Sequence, residues 1–277
     1  MRLGKTIYLS FKRRAFGRRF FDGKVRAYPT LRCNLSCEYC VNNHIDGGRH
    51  LADYSLLDPE EWIEIFNRLN RDVILTGGEP LLYPDLGKVI LGVNPKLEVT
   101  VYSNLMVPLR GDLSWLQRKR LFVYASYHIS GNRDSLFAEN VRLLKKSGTP
   151  FSVHAINLEG RSRLQAAFAE KLGDGAPHID IDEDQRNIFS GSSKAFRKMM
   201  RCDRAVILIA PDGCRYQCVS RMVRRVAPFE NLANDPLSGI KHVVDCPDFG
   251  FCAPCDYLGE TKFTEPNTKT ANPIDEG

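Results

Sequence analysis

Three cysteines stand close together near the amino terminus, in the stretch CNLSCEYC. Cys33, Cys37 and Cys40 have the spacing C-x3-C-x2-C. Thiolates with such spacing bind zinc or the irons of an iron–sulfur cluster, and a closed site of either kind takes four ligands. Three thiolates would leave one iron of a [4Fe-4S] cluster open, whereas His44 could complete a Cys3His zinc site. The spacing alone leaves both alternatives open.

The remaining cysteines form a second group. The chain has nine cysteines, of which three lie at 33–40, none between 41 and 201, and six between 202 and 255. Without a secretory signal, this usage predicts a cytoplasmic, reducing location in which cysteine serves metal binding or catalysis. We therefore expect two separate sulfur-rich sites.

The composition is that of an ordinary globular protein, with 43% hydrophobic and 26% charged residues and a formal charge of +6. No apolar run reaches the ~20 residues of a membrane span, and the modest charge does not indicate a nucleic-acid partner. Residues 1–21 contain seven Lys or Arg and no acidic residue. A transit peptide can have this composition, but we favour a basic lead-in segment that packs through its aromatic residues.

Short β-branched or apolar runs alternate with amphipathic segments through the first two thirds of the chain. Residues 58–70 predict a helix with Asp58 as N-cap, Pro59 at the first helical position and Glu61 completing a capping box. Residues 133–148 predict a second helix, which ends in two lysines and a glycine. This alternation predicts an α/β fold with a parallel sheet, and ligands bind at the carboxyl ends of such strands. The predicted strands are 25–31, 72–78, 97–104, 121–128, 151–157 and 178–182.

A second motif, GGEP, ends the second predicted strand. Gly77 and Gly78 would let the backbone approach a ligand closely, and Glu79 supplies an acceptor for an ammonium group. Pro80 stiffens the exit from the strand. Alone, GGEP could be a simple glycine turn, but one strand after the cysteine motif it favours the cluster over zinc.

Together these motifs resemble those of the radical S-adenosylmethionine (SAM) enzymes, and the resemblance covers roughly residues 25–182. It implies a partial (β/α)6 TIM-like barrel, in which the open iron of a [4Fe-4S] cluster chelates the amino and carboxylate groups of the methionine moiety of SAM. Carried onto this chain, the resemblance implies that Cys33, Cys37 and Cys40 bind the cluster and that the Tyr39 side chain lies near the adenine. It also implies that Gly77, Gly78 and Glu79 contact the methionine ammonium. Ser103 and Asn104 would contact the methionine or the ribose.

The resemblance also implies an activity. One electron from the cluster would cleave SAM to a 5′-deoxyadenosyl radical, which abstracts a substrate hydrogen atom, and a reductant protein such as flavodoxin or ferredoxin would supply the electron. Only 32 residues precede Cys33, which we interpret as leaving no room for a leader-peptide-binding domain. The predicted substrate is therefore a small polar metabolite, such as a sugar, an aminocyclitol or a cofactor precursor. The alternative substrate is a ribosomal peptide or protein.

The second group of cysteines surrounds a predicted hairpin over residues 204–220, which turns at the sequence PDG. Cys202 and Cys218 flank this turn as C-x10-G-x4-C, and Cys252 and Cys255 follow as C-x2-C. Four thiolates in this pattern can enclose one cluster, although a zinc ribbon has a similar signature.

This region resembles the SPASM/twitch extension of some radical SAM enzymes, since Asn231 and Leu232 match its GN-L pattern with Glu230 in place of the glycine. The extension would carry one auxiliary [4Fe-4S] cluster and assist substrate oxidation. Cys246 is the rival ligand because it extends the last pair to C-x5-C-x2-C, and Cys214 is interpreted as a buried thiol. The predicted auxiliary ligands are Cys202, Cys218, Cys252 and Cys255.

The chain accordingly divides into four predicted parts. A C-terminal β-hairpin and helical extension would follow the barrel. The alternative to the enzyme interpretation as a whole is a different class of protein, namely a non-catalytic zinc protein that binds nucleic acid or a protein partner. The predicted parts are the basic lead-in 1–24, the barrel 25–190, the twitch-like domain 191–258 and the polar tail 259–277.

Several other polar residues are candidates for the substrate site. A structural role is favoured for some of them, and for others both roles stay open. His128 and His154 lie on predicted strands, where a single histidine is more often a hydrogen-bonded core residue. Asp180 and Asp182 share a strand face and could bind a cationic group, although a solvated strand end is favoured. Arginines flanking the hairpin could clamp an anionic substrate or serve as surface charges; these are Arg215, Arg221, Arg224 and Arg225.

Overall fold

The structure is a computed structural model of the 277-residue chain. It describes residues 21–37, 40, 54–128, 134–156, 166, 170, 177–182, 198–234, 243–249 and 261–266. The α-helices are α1 Pro59–Leu69, α2 Leu86–Gly92, α3 Asp134–Ser147 and α4 Val219–Arg224. The strands are β1 Val25–Thr30, β2 Val73–Gly77, β3 Val99–Ser103, β4 Leu121–Tyr127, β5 Phe151–Ile156, β6 Ile179–Asp182, β7 Lys198–Arg204, β8 Ile207–Ile209, β9 Arg215–Tyr216, β10 Val243–Phe249 and β11 Thr261–Thr264.

Eight of these strands form one sheet in the order β6-β5-β4-β3-β2-β1-β8-β9. Strands β1 to β6 run parallel, β8 runs parallel to β1, and β9 returns antiparallel to β8. The sheet is not closed, since β6 and β9 form its two edges. The predicted α/β fold with a partial barrel is confirmed, and each of the six predicted parallel strands is present.

The helices cover one face of this sheet. Alternate residues of adjacent parallel strands, such as Val101, Val123 and Val153, are buried in one hydrophobic cluster with Trp62 and Phe137 from the helices. Because successive side chains on a strand point to opposite faces, the residues between them face the other way.

That opposite, inner face carries aromatic and polar side chains. The rings of Tyr102 and Tyr124 are stacked with centroids 4.4 Å apart, and Tyr124 stacks on His154 at 3.6 Å. His154 is buried, with Nε2 at 2.8 Å from the Ser152 hydroxyl and 3.7 Å from the Asp180 carboxylate. His154 is therefore a bonded interior residue, as the sequence analysis favoured.

Helix α1 begins where the sequence predicts. Asp58 is the N-cap residue in an extended conformation, and Pro59 occupies the first helical position. The Asp58 backbone N–H donates to the Glu61 carboxylate at 2.7 Å, the reverse half of a capping box. The helix ends at Leu69, and the C-cap residue Asn70 adopts a left-handed conformation with φ of 50°.

The carboxyl-terminal third is only partly a separate unit. The predicted hairpin forms as β8 and β9, and its turn contains Gly213 at φ +83°. A second, three-stranded sheet has the order β10-β7-β11. Residues 261–264, which the sequence analysis assigns to a polar tail, instead pair with β7 as an edge strand. The division into four parts stays a prediction.

Across the part of the chain that the structure describes, no helix is both long and apolar enough to cross a membrane.

Candidate functional site

The carboxyl ends of β1 and β2 are in close backbone contact at Gly77 and Gly78. A Cβ on Gly77 would lie 2.2 Å from the Thr30 carbonyl oxygen, and one on Gly78 would lie 2.2 Å from that of Arg32. The Gly78 N–H donates to Thr30 O at 3.1 Å, and the Glu79 N–H donates to Arg32 O at 2.8 Å. The two glycines were expected to let a ligand approach the backbone. In the structure they also let the ends of β1 and β2 approach each other, which fixes the start of the cysteine loop beside Glu79.

Glu79 is completely buried at this junction. Its Oε1 accepts hydrogen bonds from the Ser103 hydroxyl at 2.7 Å and the Leu81 N–H at 2.9 Å. Its Oε2 accepts from the Asn104 N–H at 2.7 Å. Burial raises the pKa of Glu79 to about 7, although these three donors act in the opposite direction. The structure therefore brings together three residues that the sequence analysis placed in one site.

Asn104 links this carboxylate to the cysteine loop. Its Nδ2 donates to the Asn34 side-chain oxygen at 2.8 Å and lies 3.9 Å from the Cys33 sulfur. Asn34 in turn donates to the Met106 carbonyl at 2.8 Å. Asn34 was not predicted, because an asparagine after a cysteine has no distinctive signature, yet it ties the loop after β1 to the end of β3.

Cys33, Cys37 and Cys40 are not joined in disulfide bonds. Burial raises the pKa of Cys33 to about 11, partly offset by a hydrogen bond from the Leu35 N–H to its sulfur at 3.4 Å. Glu79, Cys40 and Cys37 add smaller electrostatic contributions that also raise this pKa. The three thiols and Glu79 therefore occupy one electrostatically coupled site.

Cys37 has a partner from the far side of the barrel. The Nδ1 atom of His128, directly after β4, lies 3.6 Å from the Cys37 sulfur. Burial lowers the pKa of His128 to about 4. A strand histidine of this kind is expected to have a core role, whereas the structure places His128 against a predicted cluster ligand.

Within the described ranges, no three His, Cys, Asp or Glu side chains are grouped as a site for one metal ion. A [4Fe-4S] cluster differs from a single ion because each thiolate binds a different iron, so its ligands stand farther apart. A loop of three thiols, in which the Cys33 sulfur accepts from the Leu35 N–H and the Asn104 amide, fits that chemistry. Tyr39 and His44 lie outside the described residues.

In the second cysteine group, Cys202 contacts the residue that precedes Cys218 in the chain. The Gln217 side chain donates to Cys202 O at 3.0 Å and lies 3.6 Å from its sulfur, and Cys218 follows Gln217 in the chain. Cys202 pairs with Val244 across the small sheet. Both cysteines are buried.

Cys246 lies on the same face of the small sheet as Cys202. It pairs with Met200, two residues from Cys202 along β7, and directly opposed antiparallel residues share a face. Cys214 is next to the hairpin turn, where burial raises its pKa to about 11. Cys252 and Cys255 lie outside the described residues.

Arg215 and Arg224, near the hairpin, have local partners. Arg215 pairs with the Glu230 carboxylate at 2.5 and 3.1 Å and lies over the Phe229 ring. Arg224 donates to the Ser220 hydroxyl at 3.0 Å. The glutamate that departs from the GN-L pattern therefore forms an internal ion pair, and Arg215 has a structural role.

Comparison with known proteins identifies the family. A family model described as the Radical SAM superfamily matches residues 27–175, more than half of the chain. The chain therefore belongs to the radical SAM superfamily of enzymes, whose cofactors are a [4Fe-4S] cluster and SAM.

Curated relatives resemble only part of this chain. A probable GTP 3′,8-cyclase of Methanopyrus kandleri is 36% identical over 96 residues, which are 32% of this chain and 30% of that protein. GTP 3′,8-cyclase 3 of Mycobacterium bovis is 28% identical over 148 residues, 52% of this chain and 38% of that protein. The chain thus matches about a third of the length of these relatives.

Solved structures share the fold. The crystal structure of Streptococcus suis SuiB bound to precursor peptide SuiA aligns with a TM-score of 0.52 and 12% identity, covering 83% of this chain and 68% of that one. Native anSMEcpe with bound AdoMet and Cp18Cys peptide aligns with a TM-score of 0.52 and 15% identity, covering 76% and 78%. At these identities the likeness concerns the fold alone.

Proposed function

We propose that this protein uses SAM and a [4Fe-4S] cluster to abstract a hydrogen atom from a small polar metabolite. The observation that carries the proposal is the buried Glu79 carboxylate, bonded by Ser103 and Asn104 and placed beside Cys33. When bound, the cluster and SAM supply one-electron chemistry that can remove hydrogen from a C–H bond. The chain's own residues bind and orient those two groups.

Cys33, Cys37 and Cys40 would hold three irons and leave the fourth for SAM. Iron requires thiolates, and burial raises the pKa of Cys33 to about 11, so binding iron must release a proton there. The Leu35 N–H and the Asn104 amide are positioned to stabilise the thiolate that results. These contacts support assignment of the loop to a cluster.

Glu79 would bind the ammonium group of the methionine moiety. A carboxylate in a fully buried position is costly unless a cation or several donors compensate for lost hydration. Three neutral donors leave its pKa at about 7, so a cation would complete the compensation. Gly77 and Gly78 hold this carboxylate in position through their backbone contacts with β1.

An auxiliary [4Fe-4S] cluster in the carboxyl-terminal region is part of the same proposal. Cys202, Cys218, Cys252 and Cys255 are its proposed ligands, and the contact of Gln217, the neighbour of Cys218, with the Cys202 sulfur supports the first two. The position of Cys246 on the same sheet face as Cys202 keeps it as the rival to one member of the C-x2-C pair.

The substrate proposal follows the curated relatives rather than the solved structures. The aligned relatives are named as GTP 3′,8-cyclases, which supports a small polar substrate such as a nucleotide or another cofactor precursor. A peptide substrate is the second candidate, because SuiB and anSMEcpe share the fold and their structures contain peptides.

The first test is the metal content of anaerobically purified and reconstituted protein. We expect iron and sulfide for two clusters, falling to one when Cys33, Cys37 and Cys40 are all changed to Ala. Cys214→Ala is the matched control, since this thiol is not a proposed ligand, and it should keep both. Stoichiometric zinc that persists through reconstitution with iron and sulfide would overturn the proposal.

The second test is the product formed from SAM. With a chemical reductant, the wild-type protein should release 5′-deoxyadenosine, and the triple Cys→Ala variant should not. GTP and a panel of nucleotides, sugars and aminocyclitols are then added separately, and the true substrate class should increase the rate. Stimulation only by peptides would replace the small-metabolite proposal with the peptide one.

A further inference from the structure

His128 is a polar residue whose position the proposed function does not yet use. It follows β4, and Cys37 lies in the loop after β1, so two strands separate them in the sheet order. Their side chains nevertheless meet, with His128 Nδ1 at 3.6 Å from the Cys37 sulfur. Since Tyr124 and Ser126 precede it at alternate positions, His128 continues the inner face of β4.

The donors to the Cys33 thiol come from the cysteine loop itself and from the end of β3. Cys33 receives the Leu35 N–H at 3.4 Å and the Asn104 amide at 3.9 Å. His128 is the side chain that reaches Cys37 from β4, across the mouth of the barrel. A histidine in the Nδ1–H tautomer is a donor that substitution can remove, unlike a backbone N–H.

We infer that His128 donates a hydrogen bond to the Cys37 thiolate and thereby raises the reduction potential of the SAM-binding cluster. This inference rests on the proposed function, since it requires Cys37 to be a cluster ligand. Reduction adds one electron from the reductant and makes the cluster more negative. A hydrogen bond to a ligand sulfur withdraws negative charge and strengthens as that charge grows, so it stabilises the reduced state. His128 is thus a positioning and tuning residue that acts through Cys37.

The test compares two substitutions that differ in one property. His128→Asn keeps an N–H donor near the position of Nδ1, whereas His128→Leu removes the donor and keeps similar bulk. The midpoint potential of the cluster is measured in the full chain by a redox titration followed by electron paramagnetic resonance, without substrate. The signal is assigned to this cluster by its loss in Cys33→Ala.

In the His128→Leu variant we expect the ratio of reduced to oxidised cluster at a fixed potential to fall about tenfold. This corresponds to a midpoint potential about 59 mV lower for one electron. The midpoint potential of His128→Asn should stay close to that of the wild type. An unchanged potential in His128→Leu, or equal shifts in both variants, would overturn the inference. A wild-type protein that binds no cluster at this loop would overturn the proposed function as well, which separates the two failures.

A measurement on the unsubstituted protein covers the case in which His128→Leu does not retain its cluster. Protein labelled with ¹⁵N-histidine is reduced, and the nitrogen hyperfine coupling to the cluster is recorded. A coupling that is present in wild type and lost in His128→Asn supports the hydrogen bond. A reduced cluster without such coupling contradicts it.

Discussion

Glu79 is the residue on which the proposed SAM site depends most. Among the described side chains it is the only acidic residue that is completely buried, and it accepts hydrogen bonds from the carboxyl end of β3 and from its own loop. Burial raises its pKa to about 7. A carboxylic acid whose pKa is raised is protonated below that pKa, so it loses its attraction for an ammonium group as the pH falls.

The affinity for SAM should therefore rise with pH and level off above the pKa of Glu79. From a pKa of about 7, we expect binding at pH 6 to be roughly tenfold weaker than at pH 8. Calorimetric titration of the reconstituted protein at the two pH values measures this. Glu64→Gln, which changes an exposed carboxylate, should retain the slope, and Glu79→Gln should bind weakly at both pH values. Equal wild-type affinities at pH 6 and 8 would contradict the assignment.

Gly78 gives a second prediction at the residue scale. Its Cβ position lies 2.2 to 2.5 Å from backbone atoms of Leu31 and Arg32, so Gly78→Ala must push the strand end and the cysteine loop apart. We expect a loss of about 2 kcal/mol in the free energy of unfolding and a reduced iron content, measured by thermal unfolding and metal analysis.

Gly111→Ala is the control for this substitution. Gly111 has φ of +77° but nothing within 4 Å of its Cβ position, so the change introduces backbone strain of about 1 kcal/mol without a clash. It should keep the wild-type iron content. Unaltered iron and stability in Gly78→Ala would show that the two strand ends do not need their close approach.

At the scale of elements, α1 offers the clearest link from sequence to stability. The Glu61 carboxylate accepts a hydrogen bond from the Asp58 backbone N–H, a donor that has no partner within the helix. Glu61→Ala should lower the free energy of unfolding by about 1 kcal/mol, as measured by urea denaturation. Glu61→Gln retains an acceptor and should cost less than half as much. Equal losses would attribute the effect to charge near the helix start instead.

The sequence predicted those helices and strands that have a recognisable pattern of residues within their own segment. The six parallel strands are β-branched runs between turn residues, and α1 has a complete start signal in Asp58, Pro59 and Glu61. The strands β7, β10 and β11 carry no such signal because charged residues interrupt them, and β11 is half exposed at its edge of a small sheet. Their pairing depends on contacts between residues about forty to sixty positions apart.

Motifs predicted a set of site residues, but not how they contact one another. Glu79, Ser103 and Asn104 were each expected to contact SAM, and their hydrogen bonds to one another came only from the structure. The contact of His128 with Cys37 spans 91 positions, and nothing in the local sequence at either end indicates it. Long-range geometry of this kind depends on the sheet order, which the spacing of residues does not encode.

At the scale of the whole molecule, the carboxyl-terminal third contributes to the barrel core. β8 pairs with β1 in parallel register, so it covers the strand edge that leads into the cysteine loop. Ile207, Ile209 and Leu232 are buried in the same hydrophobic cluster as the barrel helices. The predicted boundary at residue 190 therefore separates two parts that share one sheet and one core.

A chain that ends at residue 197 should consequently fail to fold as a stable barrel. It would lose three buried aliphatic side chains from the core, and truncation of even one such residue to Ala typically costs 2–5 kcal/mol out of a total stability of about 5–15 kcal/mol. Circular dichroism and thermal unfolding should show no cooperative transition.

The matched control for this truncation is a chain that ends at residue 266. It retains every described element, including β8 and β11, and should unfold cooperatively at the temperature of the full chain. If the chain ending at 197 also melted cooperatively near that temperature, the barrel would be an independent domain. β8 would then be an accessory strand, and the cysteine loop would depend on β1, β2 and β3 alone for its position.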